Sequence, residues 1–181
     1  MKKIFIGTHN KGKLREISYL ISKKIKKISP NGLSIKSPKE TGKTFKSNAR
    51  LKVIYFSKFT KFPVISDDSG LCINALKGKP GIYSARWAKR HGSFFKAMKY
   101  ILKIMQNKRD RSASFVCCLS FKKPGKKIIT VEGKVKGSIS KKILGNKGLG
   151  YDSIFVPFPR SITYGQMSKA KKIKSDHRYI A

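Results

Sequence analysis

Two adjacent carboxylates, Asp67 and Asp68, follow an apolar run in the stretch VISDDSGL, although the chain has 43 Lys and Arg and only 8 Asp and Glu. Carboxylates at the end of a strand suit Mg²⁺, and one close to such an ion can orient or deprotonate a water. The alternative is a polar turn with an Asx hydrogen bond. Since neighbouring side chains of a strand point to opposite faces, we expect one aspartate to face the site and the other to be structural, with Ser69 and Gly70 forming the following turn.

The stretch GTHNKGK, residues 7–13, predicts a strand that enters a glycine-bearing turn and then a helix. Amides at a helix N-terminus carry partial positive charge, and Lys13 would add a full charge, so this turn could hold a phosphate. Thr8 and Asn10 supply short polar groups there. The alternative is an ordinary strand–helix connection with a capping Asn10. The P-loop pattern Gly-x-x-x-x-Gly-Lys-Ser/Thr is absent.

Glu40 precedes a second predicted helix, on which Asn48 and Lys52 are four residues apart and share one face. That face could direct two polar groups at a ligand. The simpler interpretations are a solvated face and an acid that interacts favourably with the helix N-terminus.

The last third of the chain combines aromatic and basic residues in GLGYD and KKIKSDHRY. An aromatic side chain with nearby donors suits a purine ring, while Arg and Lys suit phosphate. Each residue has an ordinary alternative, and His177 alone would be surface filler.

The pattern of elements predicts an α/β (mixed α+β) fold with a mixed sheet in a single domain, residues 1–181. Leu14, Ile17, Ile21 and Ile25 predict a helix of about 12 to 14 residues after Asn10. Further helices are predicted from Thr44, across residues 94–105 and from Ser168. Strands are predicted in KKIFIGT, LSIK, VIS, SASFVCCLSF and KKIITVEGKV, with a hairpin at KKPGKK. LCINAL is predicted to continue as a strand or a hairpin arm, and GLGYDSIFVPF to be a glycine turn followed by a strand.

The formal net charge of +35 favours polyanions as partners, yet the lysines are spread along the whole chain. No arginine-rich or aromatic-interleaved module indicates nucleic-acid binding, and compositional drift toward lysine would give the same count. We therefore expect no specific nucleic-acid partner. No run of 18 apolar residues and no signal-peptide core occur, which predicts a cytoplasmic protein without a membrane span.

Six stretches occur together in a characteristic order: THNKGKLREI, KETGKTFKSNARLK, SDDSGL, PGIYSARW, GLGYDSIF and a terminal His-Arg. In these, the chain resembles the inosine triphosphate pyrophosphatase family over nearly its whole length. The resemblance implies Mg²⁺-dependent hydrolysis of the purine nucleoside triphosphates ITP, dITP and XTP to the monophosphate and pyrophosphate. It also implies an elongated mixed sheet with two lobes flanking a central nucleotide-binding cleft, and a homodimer.

The resemblance also implies roles for individual residues. Asp68 would be the general base and a metal ligand, with Glu40 as a further metal ligand. The substrate-binding residues would be Thr8, His9, Asn10, Lys11, Gly12, Lys13, Lys52, Ser69, Leu149, Gly150, Tyr151, Asp152, Lys172, His177 and Arg178. The first six would cradle the triphosphate, and Tyr151 would lie against the base.

Asp176 departs from the family pattern, which usually has Ser before the His-Arg pair. An acid at this position could change the base contact. Two other functions remain open from the residues: a pyrophosphatase of the same scaffold for a modified pyrimidine nucleotide, and a basic nucleic-acid-binding protein without hydrolase activity.

Overall fold

The computed structural model describes residues 1–181 and has a mixed α/β fold built on a six-stranded sheet. The strands are β1 Lys3–Ile6, β2 Lys26–Ile28, β3 Val64–Ile73, β4 Ser112–Lys122, β5 Ile129–Ile139 and β6 Phe155–Pro157, in the order β2-β1-β3-β4-β5-β6. Strand β1 is parallel to β2 and β3, whereas β6 is antiparallel to β5. The predicted fold class is confirmed.

Six α-helices accompany the sheet: α1 Lys11–Leu20, α2 Phe45–Ser57, α3 Ser84–Arg90, α4 Phe94–Ile104, α5 Lys169–Ile173 and α6 His177–Ile180. Asn10 and Thr44 cap α1 and α2 through their side chains, as their positions before the apolar periodicity indicate. The sequence pattern did not predict α3. None of the helices combines the length and the apolar character needed to cross a bilayer.

One strand prediction is wrong, and one predicted turn is part of a strand. The segment LSIK is not a strand; β2 instead lies at Lys26–Ile28, where Lys26 pairs with Lys3. VIS and the first three residues of LCINAL belong to one ten-residue strand, β3, so Ser69 and Gly70 lie within a strand and not in a turn, and Asn74–Leu76 form a short 3₁₀ helix. Packing explains this second difference: a Cβ on Gly70 would meet the carbonyl of Gly81, and the next residue along β3 donates its amide to Ser84 Oγ at 3.0 Å.

The chain divides into two compact units. The first unit contains residues 1–68 and 117–133 with Ala181, and its core is formed by Phe5, Val53, Phe56 and Val64. The second unit contains residues 69–116 and 134–180, and its larger core includes Leu71, Ile101, Phe115, Phe155 and Tyr164. Asp68 is therefore the last residue of its segment in the first unit, and Ser69 begins the second.

Candidate active site

The turn after β1 is fixed by its own side chains. Asn10 Oδ1 accepts hydrogen bonds from the amides of Gly12 at 2.9 Å and Lys13 at 3.0 Å, and Thr8 Oγ1 accepts from the Asn10 amide at 3.2 Å. Two of the helix amides that could have faced a phosphate are thus used by Asn10. The Lys13 side chain, which extends from the first turn of α1, stays the candidate phosphate-binding group of this turn.

His9 joins the same turn to the segment that follows β2. Its Nε2 donates to the carbonyl of Ile35 at 2.8 Å, and its Nδ1 lies 2.7 Å from Ser37 Oγ. With both ring nitrogens engaged, His9 holds these two segments together. Its predicted contact with a triphosphate stays a prediction.

Three carboxylates and two ammonium groups meet in the first unit, and we call Lys13, Glu40, Lys52, Asp67 and Asp68 the acid–lysine cluster. Lys13 Nζ lies 3.1 Å from Asp67 Oδ2 and 4.0 Å from Asp68 Oδ1. Lys52 Nζ lies 2.7 Å from Glu40 Oε1 and 3.5 Å from Asp68 Oδ1. The Asp68 carboxylate consequently lies between two lysines, and Lys52 connects it to Glu40.

Asp67 and Asp68 approach the same lysine, although strand alternation alone predicted that their side chains would point to opposite faces. Its Oδ2 contacts the same Lys13 ammonium that approaches Asp68, and its side chain is fully buried. A buried carboxylate is costly without a countercharge, and Lys13 supplies that countercharge to Asp67. The expectation that one aspartate is structural and the other faces the site stays a prediction.

Asn48 orients the Asp68 carboxylate from helix α2. Its Nδ2 donates to Asp68 Oδ2 at 3.1 Å, while its Oδ1 accepts from the amide of Gly42 at 2.8 Å. The same side chain therefore fixes both the general-base candidate and the loop that carries Glu40. The four-residue spacing between Asn48 and Lys52 was the sequence signal for this shared face.

Burial and charge act in opposite directions on the acid–lysine cluster. Burial raises the pKa of Asp68 above its ordinary value, and the nearby ammonium groups of Lys52 and Lys13 only partly offset that effect. Burial would lower the pKa of Lys52, but Asp68, Asp67 and Glu40 together raise it. Lys52 is therefore held charged, while Asp68 is a better proton acceptor than an exposed aspartate.

The donor chemistry of the acid–lysine cluster fits a magnesium ion that is also bound by substrate. No group of three His, Cys, Asp or Glu side chains is placed to hold a metal ion by itself. Mg²⁺ needs less than that, because it commonly uses one or two carboxylates together with waters and phosphate oxygens. Glu40 and Asp68, which share the Lys52 ammonium, supply two such carboxylates.

A second group of charged residues is buried in the second unit, and we call Asp152, Lys172, Asp176, His177 and Arg178 the C-terminal cluster. Asp152 Oδ2 accepts from Lys172 Nζ at 2.7 Å and from the amide of Leu149 at 2.6 Å. This pair joins α5 to the glycine-rich turn at residues 148–150. Asp152 thus holds Lys172 and the turn in place, in addition to any contact with substrate.

The His-Arg pair at the start of α6 is held from three sides. The His177 ring stacks on Phe115 with centroids 4.9 Å apart and planes 12° apart. Arg178 Nη1 lies 3.2 Å from His177 Nε2, and Arg178 Nη2 donates to Ser69 Oγ at 2.7 Å. Asp176 Oδ1 accepts from the amides of Arg178 at 2.9 Å and Tyr179 at 3.0 Å.

Tyr151 belongs to the core of the second unit. It is 2% exposed, its hydroxyl donates to the carbonyl of Ser84 at 2.8 Å, and its ring meets Phe94 edge-on. Gly150 beside it has a φ of 68°, a conformation that favours glycine. The predicted contact of Tyr151 with a base stays a prediction.

The structure thus brings the predicted residues together in two groups. The first unit holds Thr8, His9, Asn10, Lys11, Gly12, Lys13, Glu40, Lys52 and Asp68, and the second holds Ser69, Leu149, Gly150, Tyr151, Asp152, Lys172, His177 and Arg178. Sequence reasoning did not assign Phe115 or Tyr164 to the site. Phe115 lies in an apolar strand, where nothing distinguishes a ring that stacks on His177 from an ordinary core residue.

The comparisons with known proteins agree with this arrangement. A family model described as Ham1 matches residues 4–181. The chain belongs to the Ham1 family. Similar Ham1 relatives include dITP/XTP pyrophosphatases of Oceanobacillus iheyensis, 42% identical over 98% of this chain and 93% of the relative, and of Caulobacter vibrioides, 38% identical over 97% and 92%. The resemblance inferred from the six stretches is confirmed.

Solved Ham1 structures share the fold. The Ham1 protein of Staphylococcus aureus superposes with a TM-score of 0.87 at 36% identity, covering 99% of this chain and 94% of that one. A Coxiella burnetii HAM1 protein gives 0.88 at 31% identity, with 99% and 94% covered. Both clusters lie within the residues that the Ham1 family model matches.

Proposed function

We propose that this Ham1 protein hydrolyses the purine nucleoside triphosphates ITP, dITP and XTP to the monophosphate and pyrophosphate, by attack of water at the α-phosphorus. The names of its curated relatives support the substrate class. The observation that carries the mechanism is the Asp68 carboxylate, which is 4% exposed, hydrogen-bonded to Asn48 and flanked by Lys13 and Lys52.

In this proposal, Asp68 takes the proton from the attacking water. Its burial favours the proton-accepting role, because the charged form loses solvation. Asn48 fixes one carboxylate oxygen, which leaves the direction of proton transfer well defined. Lys13 and Lys52 offset the negative charge that develops on the departing pyrophosphate.

Glu40 and Asp68 would hold the Mg²⁺ ion. When bound, the ion neutralises phosphate charge and lowers the cost of forming the leaving group. Lys52 contacts both carboxylates and would keep them close together before the ion and the substrate arrive.

The C-terminal cluster would bind the nucleoside part of the substrate. Lys172 and Arg178 carry donors for the 6-oxo group of hypoxanthine or xanthine, whereas a 6-amino group would meet donors in place of acceptors. Ser69 accepts from Arg178 and so fixes the direction of its guanidinium. Discrimination against adenine would therefore depend on these rigidly placed donors, and discrimination against guanine, which also has a 6-oxo group, on the absence of a partner for its 2-amino group.

We further propose that the enzyme acts as one 181-residue domain and as a homodimer in the cytoplasm. The family match across residues 4–181 supports the single domain. Light scattering coupled to size-exclusion chromatography gives the mass directly: a dimer is expected at about twice the 20.4 kDa of the chain, and the monomer mass alone would contradict it.

One assay tests the proposed activity. Pyrophosphate release is measured from ITP, dITP, XTP, ATP, GTP and modified pyrimidine triphosphates, in Mg²⁺, after EDTA, and after Mg²⁺ is restored. We expect release from the first three substrates only, its loss in EDTA and its recovery with Mg²⁺. Preference for a pyrimidine would favour the same-scaffold alternative, and salt-dependent nucleic-acid binding without hydrolysis would favour the binding protein.

A further inference from the structure

The C-terminal cluster contains equal numbers of buried cations and carboxylates. Lys172 is paired with Asp152 at 2.7 Å, and Asp176 precedes Arg178 at the start of α6. Arg178 can only donate through Nη1, so His177 Nε2 at 3.2 Å accepts this hydrogen bond. Two of the chain's 8 acidic residues thus balance the charges of two cations in this cluster.

Asp176 is completely buried, and the structure shows what its carboxylate does. Its Oδ1 accepts from the amides of Arg178 and Tyr179, so it caps the short helix that carries the His-Arg pair. Its negative charge also acts on Tyr164. Burial is the main cause that raises the pKa of Tyr164, and Asp176 and then Asp152 raise it further. The Tyr164 hydroxyl donates to the carbonyl of Ser175, and Lys172 Nζ lies 5.7 Å from the Tyr164 ring centroid.

This charge balance has a consequence for base recognition, which rests on the proposed function. Xanthine loses a ring proton near neutral pH and becomes an anion, whereas hypoxanthine keeps its ring proton well above neutral pH. A neutral cluster offers an anionic base no net attraction that would offset the solvation the anion loses on binding, whereas a neutral base has no such charge to desolvate. A serine in place of Asp176 would leave the Arg178 charge unbalanced, and that excess positive charge would attract the xanthine anion.

We propose that Asp176 is a specificity-determining residue that makes this enzyme favour ITP and dITP over XTP. Asp176 acts through its charge and through the position of the His-Arg pair, because a fully buried carboxylate does not itself reach the substrate surface. Charge interactions are strong at this depth, since Asp176, His177 and Arg178 are each at most 5% exposed.

The test compares kcat/KM for ITP and XTP at pH 8 in wild type and in Asp176→Asn. Asparagine keeps an acceptor oxygen for both capping hydrogen bonds and removes the charge. We expect the XTP-to-ITP ratio of kcat/KM to rise about tenfold in Asp176→Asn. The matched control is Asp110→Asn, which removes an exposed carboxylate of the same unit and should leave the ratio unchanged.

An unchanged ratio in folded Asp176→Asn, or an equal change in Asp110→Asn, overturns the proposal. Should Asp176→Asn fail to fold, calorimetric titration of wild type with IMP and XMP at pH 8 replaces it. About tenfold tighter binding of IMP is then expected, and equal affinities overturn the proposal. If wild type hydrolyses ITP but the XTP-to-ITP ratio of kcat/KM does not change in Asp176→Asn, only the role of Asp176 is wrong. If wild type hydrolyses neither triphosphate, the proposed function is wrong as well.

Discussion

The acid–lysine cluster and the C-terminal cluster use the same kinds of residue in different ways. In the first, three carboxylates meet two ammonium groups, and Glu40 at its edge keeps a third of its side chain exposed. In the second, two carboxylates balance two cations, and all are buried. An excess of carboxylate leaves a group that can act on water and a metal ion, whereas a balanced cluster fixes backbone segments and donors.

The positions of the rare acids reinforce this difference. Glu40, Asp67, Asp68, Asp152 and Asp176 are five of the 8 acidic residues, and all five belong to these two clusters. The protein is strongly positive overall, yet in these two clusters every carboxylate has an identified hydrogen-bond or ion-pair partner. The predictions below test whether the first cluster governs chemistry and the second governs fold and recognition.

Changing Asp68 to Asn should have the largest effect. Loss of a positioned general base typically slows a reaction about 10²–10⁴-fold, so we expect kcat for pyrophosphate release to fall by that factor while nucleotide still binds. Stability should change little, because two effects oppose each other. The folded-state pKa of Asp68 is raised, so at neutral pH its charge costs folding free energy that Asn does not incur, whereas buried Lys52 loses one of its three neighbouring carboxylates.

Steady-state kinetics and thermal unfolding of the same Asp68→Asn sample separate the two effects. Asp110→Asn is the control and should retain wild-type turnover, because Asp110 is exposed and its carboxylate accepts hydrogen bonds from the amide and hydroxyl of Ser112, outside both clusters. Near-wild-type turnover in Asp68→Asn would show that the assigned role is wrong.

Changing Asp152 to Asn should mainly destabilise the fold. It leaves the Lys172 ammonium buried beside a neutral group, and breaking a buried pair in this way costs about 3–5 kcal/mol of unfolding free energy. Removing both charges in Asp152→Asn with Lys172→Met should recover much of that loss. Urea unfolding curves measure both variants; additive losses in the double variant would mean that the ion pair is not the cause.

Changing Ser69 to Ala should have the smallest effect of the three. Arg178 would lose the acceptor that lies 2.7 Å from Nη2, a hydrogen bond worth about 0.5–1.5 kcal/mol. We expect KM for ITP to rise about threefold to tenfold while kcat changes little. The Ser161→Ala change, at an exposed position of the same unit, provides a comparison, and a loss confined to kcat would place Ser69 with the chemistry instead.

Local signals predicted much of the first cluster. Asn10 and Thr44 precede apolar periodicity and cap their helices, and the spacing of Asn48 and Lys52 indicates the shared face that meets Asp68. These features depend on residues within one or two turns, so the sequence alone carries them. The family resemblance then supplied roles that no spacing indicates.

Long-range contacts produced what the sequence could not predict. Ser69 and Gly70 resemble a turn, but Gly70 stays extended because Gly81 and Ser84 pack against it. The stack of His177 on Phe115 joins residues that are far apart in the chain. Side-chain contacts of this kind depend on tertiary packing, for which local propensity gives no signal.

The most direct test of the central claim, that Asp68 readies a water for attack at the α-phosphorus, is hydrolysis of ITP in ¹⁸O-labelled water with mass analysis of both products. The account predicts one ¹⁸O in the monophosphate and none in the pyrophosphate, with the rate of label entry falling about 10²–10⁴-fold in Asp68→Asn. Label in the pyrophosphate, or an unchanged rate in that variant, would contradict it.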